Sequence, residues 1–119
     1  MRTSRELGIR YETDLVDDGC GTLYYLISSL NIIADVLEPQ GKRFFFDTMD
    51  ASQFTFGGEK CQDMLGWVVD DADVPSFEPR WLAGEDCDEL DEFEYVFVNW
   101  AQGDDGRPAP EFDVCPEFD

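Results

Sequence analysis

A single apolar stripe between residues 23 and 37 constrains the fold more than any other feature of this sequence. Its members recur at intervals of three and four, the period of one face of an α-helix. They are Leu23, Leu26, Ile27, Leu30, Ile33, Ala34 and Leu37. Thr22 is a candidate N-cap, and Pro39 with Gly41 is typical of a helix end. We predict one main amphipathic helix over about residues 22–38, with its apolar face in the core.

The other apolar segments are short and are rich in aromatic and β-branched residues, which are typical of strands. Residues 9–15 alternate between apolar and polar side chains and are predicted to form a half-buried strand. Residues 93–100 are apolar on both faces, so this strand is expected near the centre of the sheet. Residues 43–47 and 53–56 are predicted to form two short strands of a hairpin, because five residues separate them.

The remaining segments complete a single small domain. Residues 59–65 are interpreted as a short helix and residues 67–69 as a strand, while Pro75 and Pro79 indicate an irregular connection. Glycine, proline and aspartate dominate residues 102–119, which predicts an irregular surface tail. A chain of 119 residues fits one domain, residues 1–119. We therefore predict an α+β fold: a mostly antiparallel sheet of four to five strands, with the main helix packed on it.

The charge of the chain is far from that of an ordinary domain. It carries 28 acidic and 8 basic residues, a net charge of −20, where about 2–8 charges suffice for solubility. Residues 44–119 hold 21 of the acids and only 3 of the bases. Such self-repulsion disfavours the compact state. Three explanations stay open: a cationic partner, bound divalent metal, or a high-salt cytoplasm that screens the charges.

The acidic residues concentrate in two clusters, at residues 70–73 and 85–94. Either cluster taken alone is compatible with a simple solvated face, but the strong bias of the whole segment favours a binding surface. The predicted partner-binding residues are Asp70, Asp71, Asp73, Glu85, Asp86, Asp88, Glu89, Asp91, Glu92 and Glu94.

The sequence offers little for catalysis. The chain has no histidine, which excludes Ser-His-Asp and Cys-His arrangements. A cysteine activated by a helix N-terminus remains conceivable for Cys20 alone, because Cys87 lies among acids that raise a thiol pKa. Paired carboxylates are abundant, but this abundance makes them uninformative. We expect no enzymatic activity and no catalytic residues.

Cofactor and metal motifs are missing from the sequence as well. The four cysteines are widely spaced, whereas zinc sites use closely spaced pairs. Asp86 and Asp88 begin a calcium-loop pattern, but Asp91 occupies the position of its turn glycine and Phe97 that of its final glutamate. No phosphate-binding glycine loop occurs. We expect no cofactor and no dedicated metal site.

The sequence also predicts the compartment and limits the partners. Residues 1–10 lack the apolar run of a signal peptide, and the stretch around residues 23–37 is too short and too polar to span a bilayer. We expect a cytoplasmic protein with free thiols, in the host cytoplasm if the gene belongs to a phage. The acidity disfavours direct binding to nucleic acid or to anionic membranes.

In size, charge and lack of a catalytic motif, the chain resembles phage-encoded anti-restriction and anti-CRISPR inhibitors. Carboxylates on a rigid fold can imitate the phosphate array of a duplex, which carries one charge per about 1.7 Å of axis. The resemblance implies a non-enzymatic inhibitor that enters the basic groove of a nucleic-acid-binding protein and blocks it.

Two other functions stay open at this point. An immunity or antitoxin protein would bind a basic toxin through a few aromatic anchors, for which Phe77, Trp81, Trp67 and Trp100 are candidates, although core positions suit them better. Alternatively, the chain is an ordinary α+β domain of a halophile, with acidity that serves solvation. The oligomeric state is open in all three cases.

Overall fold

The computed structural model describes residues 6–9, 22–56, 58–86 and 88–114. Over these residues the chain forms an antiparallel sheet of four strands in the order β1-β2-β3-β4. The strands are β1 (Lys42–Phe56), β2 (Glu59–Asp70), β3 (Glu94–Gln102) and β4 (Pro108–Val114). Two α-helices, α1 (Thr22–Leu37) and α2 (Val74–Leu82), accompany them. The predicted α+β fold and its main helix are confirmed, and β3 lies inside the sheet as expected.

Helix α1 packs on one face of the sheet through the stripe that the sequence shows. Leu26, Leu30, Ile33 and Leu37 are buried in one cluster. The same cluster includes buried side chains of the sheet and of residues 6–9. These are Leu7, Ile9, Phe44, Phe46, Cys61, Met64, Val96, Val98 and Trp100. A hydrogen bond from the Gln62 backbone N–H to Ser29 Oγ, 2.7 Å long, ties α1 to β2.

Helix α2 covers the opposite face of the sheet. Because side chains alternate along a strand, Phe45 points away from Phe44 and Phe46 and packs under α2. Its ring lies 4.7 Å from that of Phe77 and 4.9 Å from that of Trp81. The sheet is thus buried on both faces, and the molecule has three layers.

Two sequence predictions in the first hairpin are wrong. Residues 43–47 and 53–56 belong to the one long strand β1, which continues through the intervening residues with two register irregularities. The chain reverses instead between Phe56 and Glu59, where Gly58 has a φ of +82° that favours glycine. Residues 59–65, interpreted as a helix, are the first half of β2.

The segment with Pro75 and Pro79 is helical, not irregular. Pro75 stands in the first turn of α2, where the missing N–H would have no partner in any case. Pro79 lies inside the helix, but Phe77 and Trp81 on either side of it are fully buried. Their burial outweighs the one hydrogen bond that Pro79 removes.

The predicted irregular tail contains a strand. Strand β4 pairs with β3 along its whole length, with Pro108 opposite Gln102 and Pro110 opposite Trp100. Prolines are tolerated in an edge strand when their nitrogen faces away from the neighbouring strand. The predicted strand at residues 9–15 lies outside the described residues except for Ile9, which is buried.

The centre of β2 has no room for a side chain at Gly66. A Cβ there would overlap the Phe45 carbonyl oxygen and lie 2.5 Å from Phe44 Cζ. We expect Gly66→Ala to lower the free energy of unfolding by about 2–3 kcal/mol, the upper part of the range for overpacked cores. At Gly103 the nearest atom is 3.2 Å away, so Gly103→Ala is the control and should cost less. Urea denaturation measures both, and equal costs would contradict the prediction.

Candidate functional site

The structure brings the two acidic clusters to the same end of the sheet. Strand β2 ends at Asp70 and β3 begins at Glu94, and Glu94 pairs with Val68, two residues before Asp70. Asp71 and Asp73 follow in a 3₁₀ turn that leads into α2, and residues 85–92 lead back from α2 to β3. The clusters therefore flank α2 along the chain and converge at Asp70 and Glu94.

These acidic side chains lie on the surface. Glu85 is half-buried, and the other nine predicted partner-binding residues are exposed. Both clusters thus place exposed carboxylates around one end of the sheet, with Asp70 and Glu94 on the α1 face, which they share with Val68, and residues 85–92 beside α2. We call this region the acidic surface. The ten carboxylates are not equivalent, however, because some of them hold the loop between α2 and β3 in place.

Arg80 on α2 organises this loop. Its Nε donates a hydrogen bond of 2.9 Å to Glu85 Oε1, its Nη1 contacts the Glu92 carboxylate, and its Nη2 donates to the Glu89 carbonyl oxygen at 2.8 Å. One guanidinium thus connects three points of the loop. Sequence reasoning missed this role, although Arg80 is the one basic residue between positions 70 and 94.

Asp86 and Glu89 organise the backbone of the same loop. Asp86 Oδ1 accepts hydrogen bonds from the backbone N–H groups of Asp88 and Glu89, at 3.0 and 3.1 Å. Glu89 Oε1 in turn accepts from the Asp86 N–H at 3.5 Å, the reciprocal pattern of a capping box. The turn ends at Leu90, which is fully buried under α2. The acidic loop is therefore an ordered turn anchored in the core.

The other acids have no such structural role. Within the described part of the chain, their carboxylates make no hydrogen bond or ion pair, so their negative charge is available to a partner. We call this set the outward carboxylates. It consists of Asp70, Asp71, Asp73, Asp88, Asp91 and Glu94.

The described residues show no arrangement for metal chemistry. No group of three or more histidine, cysteine, aspartate or glutamate side chains among them is placed to hold a metal ion. Cys61 is buried against α1; Cys20, Cys87 and Cys115 lie outside the described residues. None of the helices in the described ranges combines the length and apolar content needed to cross a bilayer.

The four candidate aromatic anchors belong to the core. Phe77, Trp67 and Trp81 have no exposed surface, and Trp100 is 7% exposed. Trp100 also donates a hydrogen bond from Nε1 to the Gln62 carbonyl oxygen at 2.9 Å. These rings therefore stabilise the fold and cannot reach a partner from the native state.

Removing the Arg80 contacts should loosen the loop without unfolding the protein. Because the side chain of Arg80 is 37% exposed, we expect Arg80→Gln to lower the free energy of unfolding by only about 1 kcal/mol. Amide hydrogen exchange should accelerate in residues 88–92 and remain unchanged in β2. Arg80→Lys should behave like Arg80→Gln, since a lysine cannot replace the three-point contact. Unchanged exchange in the loop would contradict the assigned role.

Comparison with protein-family models, curated proteins and solved structures found no match to this chain. Any functional proposal therefore depends on the geometry and charge of the molecule itself.

Proposed function

We propose that the protein is a non-enzymatic inhibitor that mimics the charge of a nucleic acid and binds a basic nucleic-acid-binding protein. Its target would be of the kind blocked by anti-restriction and anti-CRISPR inhibitors. The observation that carries this proposal is the convergence of two acidic clusters, separate in sequence, on one end of the sheet. The outward carboxylates of that surface would occupy the places that phosphates take in the partner's groove.

The order of the acidic loop supports this proposal. Arg80 and the buried Leu90 hold the turn that displays Asp88 and Asp91. A preorganised array loses little conformational entropy on binding, so more of its electrostatic attraction appears as affinity. Charge of one sign also steers a basic partner toward the surface and raises the association rate.

The exposed surface gives less support to an immunity protein. Such a protein needs a few aromatic or apolar anchors at the centre of its interface. Among the described residues, the exposed large hydrophobic side chains are Val36 and Val114, and neither belongs to the acidic clusters. Distributed charge is therefore the better account of this surface.

The third alternative, a halophilic domain, predicts a different response to salt. We expect the protein to be folded at about 0.01 M salt, where the Debye length is about 30 Å. Its stability should rise at higher salt, because a shorter Debye length screens the repulsion between the carboxylates. Thermal unfolding followed by circular dichroism at several salt concentrations measures this. A chain that is unfolded at low salt and folds only near molar salt would favour the halophilic alternative.

The proposal itself is tested by affinity capture from nuclease-treated lysate. We expect a nucleic-acid-binding protein to be retained at low salt, released at high salt and displaced by duplex DNA. Retention of a single basic toxin at high salt, without displacement by DNA, would instead favour an immunity protein. If no specific protein is retained, the proposal is wrong.

A further inference from the structure

Helix α2 has nine residues and covers only part of the sheet face on which it packs. Tyr95 of β3 packs against the hydrophobic cluster under this helix, while Val96 and Val98 belong to the cluster under α1. Because side chains alternate along a strand, Phe97 follows Tyr95 on the α2 side. Phe97 lies opposite Leu65 of β2. Both are partly exposed and belong to neither cluster of described residues, so apolar surface remains open beside α2.

Phe97 also stands at the end of the aromatic series under α2. The Trp67 ring lies 5.5 Å from that of Phe77 and 5.0 Å from that of Tyr95. Within the described part of the chain, Phe97 makes no ring contact of this kind. One face of its ring is therefore open to a group from outside the molecule.

Strand β4 places two carboxylates beside this ring. Phe112 packs against the cluster under α1, so Glu111 and Asp113 lie on the α2 side of the sheet. Asp113 pairs with Phe97 and Glu111 with Asn99, and both acids are exposed. The Cβ atoms of directly paired residues are about 4.5–5.5 Å apart, and those of diagonal neighbours about 7–8 Å. Both carboxylates are thus within reach of a group placed on Phe97.

The two negative charges have no basic partner among the described residues. The Glu111 carboxylate makes no hydrogen bond or ion pair, and Asp113 contacts only the neutral amide of Asn99. Arg107, four positions before Glu111, takes part in another interaction and pairs with neither acid. The open apolar surface is therefore bordered by two uncompensated carboxylates, which favours a cationic group.

The same face of the sheet already holds a group of the fitting kind. The Arg43 guanidinium carbon lies 4.7 Å from the centroid of the Phe45 ring. Its Nη1 lies 3.9 Å from Oε2 of Glu78. A guanidinium between a phenyl ring and a carboxylate gains both a cation–π contact and a charge-assisted contact. Phe97 has the ring and the carboxylates of such an arrangement but no arginine.

We infer that an arginine side chain of the basic partner docks on the Phe97 ring and donates hydrogen bonds to Asp113 and Glu111. Arginine fits better than lysine, because its planar guanidinium stacks on a ring and presents several donors in one plane. This inference rests on the proposed function and deepens it. Phe97 is three residues from Glu94 along β3, about 10 Å at the rise of a strand. One partner can therefore contact the acidic surface and this site together.

The test uses a small probe in place of the partner. N-acetyl-arginine methylamide is titrated into the full chain, and amide chemical shifts are followed by NMR. We expect the shifts to centre on Phe97, Asn99, Glu111 and Asp113. N-acetyl-citrulline methylamide has nearly the same shape without the charge, and it should bind more weakly by about threefold or more.

Two glutamates on opposite faces of the sheet provide the matched control. Glu111→Gln should weaken binding of the arginine probe by about threefold. Glu94→Gln makes the same change in charge on the α1 face and should leave binding nearly unchanged. Phe97→Leu, which keeps an apolar side chain but removes the ring, should weaken binding by about threefold, whereas Phe97→Tyr should retain it. Circular dichroism checks that each variant is folded.

Equal weakening by Glu111→Gln and Glu94→Gln would overturn the inference, because it would indicate attraction by net charge alone. Equal binding of the citrulline probe, or unchanged binding to a folded Phe97→Leu variant, would overturn it as well. Such results leave the proposed function standing if lysate capture still retains a protein that duplex DNA displaces. Conversely, if that capture fails while the arginine probe binds at Phe97, the proposed function is wrong and the arginine site remains.

Discussion

Replacing Trp81 with alanine is expected to lower the free energy of unfolding by about 3–5 kcal/mol, the cost of deleting a large buried aromatic side chain. Trp81 has no exposed surface, and its ring lies edge-on to Phe45 at 4.9 Å. Its Nε1 donates a hydrogen bond of 3.2 Å to the Phe46 carbonyl oxygen, which attaches α2 to β1. Urea denaturation followed by circular dichroism measures the loss.

Trp81→Phe separates the two contributions. It keeps an aromatic ring in the layer under α2 but removes the donor to Phe46, so we expect it to cost about 1–2 kcal/mol. Because Trp81 is buried, Trp81→Phe should leave partner binding unchanged. A loss of stability under about 1 kcal/mol for Trp81→Ala would contradict its place in the core. A binding defect in a stable Trp81→Phe variant would instead restore it as an interface anchor.

The elements predicted correctly are those whose hydrophobic pattern is long and uninterrupted. Helix α1 shows its stripe over four turns, and from residue 26 onward, where its side chains are described, the buried ones belong to that stripe apart from Ser29. Strand β3 has too many apolar residues on both faces to lie anywhere except inside the sheet. In both elements, most of the described side chains that face the core by local pattern are also buried by tertiary packing, so the sequence alone is sufficient.

Elsewhere, tertiary contacts override the local pattern. Gln62 and Asp63 are polar but buried in β2, where the pattern is typical of a helix. The backbone N–H of Gln62 donates a hydrogen bond to Ser29, 33 positions earlier. Its carbonyl oxygen accepts one from Trp100 Nε1, 38 positions later. Such partners cannot be identified from spacing in a single sequence. The same applies to α2, where burial against Phe45 overrides the two prolines.

For the candidate site, the sequence predicts the acidic positions, but it does not show which acids hold the loop between α2 and β3 in place and which are outward carboxylates. Composition shows the two clusters, and nothing in it distinguishes Glu92, which contacts Arg80, from Asp91, which does not. The distinction depends on where α2 places the guanidinium relative to the loop. Substitutions of different acids should therefore have different effects on stability and on partner binding.

Two double variants of the acidic loop test whether the outward carboxylates and the carboxylates that contact Arg80 have different roles. Asp88→Asn with Asp91→Asn removes two outward carboxylates, while Glu85→Gln with Glu92→Gln removes the two that contact Arg80. Both variants change the net charge equally. We expect the first to slow association with the captured partner by about tenfold or more at low salt, because steering depends on exposed charge. The stability of this variant should be unchanged or higher, since it carries two fewer negative charges and the carboxylates repel one another less.

The second variant, Glu85→Gln with Glu92→Gln, should affect stability more and association less than the first. Loss of the two Arg80 ion pairs should lower the free energy of unfolding by about 1 kcal/mol. Asp88 and Asp91 remain in place in this variant, so association should slow less. Stopped-flow kinetics at several salt concentrations and urea denaturation measure the two effects separately. If both variants slow association equally, only net charge matters to the partner, and the fixed array on this loop does not act as a mimic. If they differ as expected, the partner recognises the positions of the carboxylates, which is the property that separates mimicry of a nucleic acid from simple acidity.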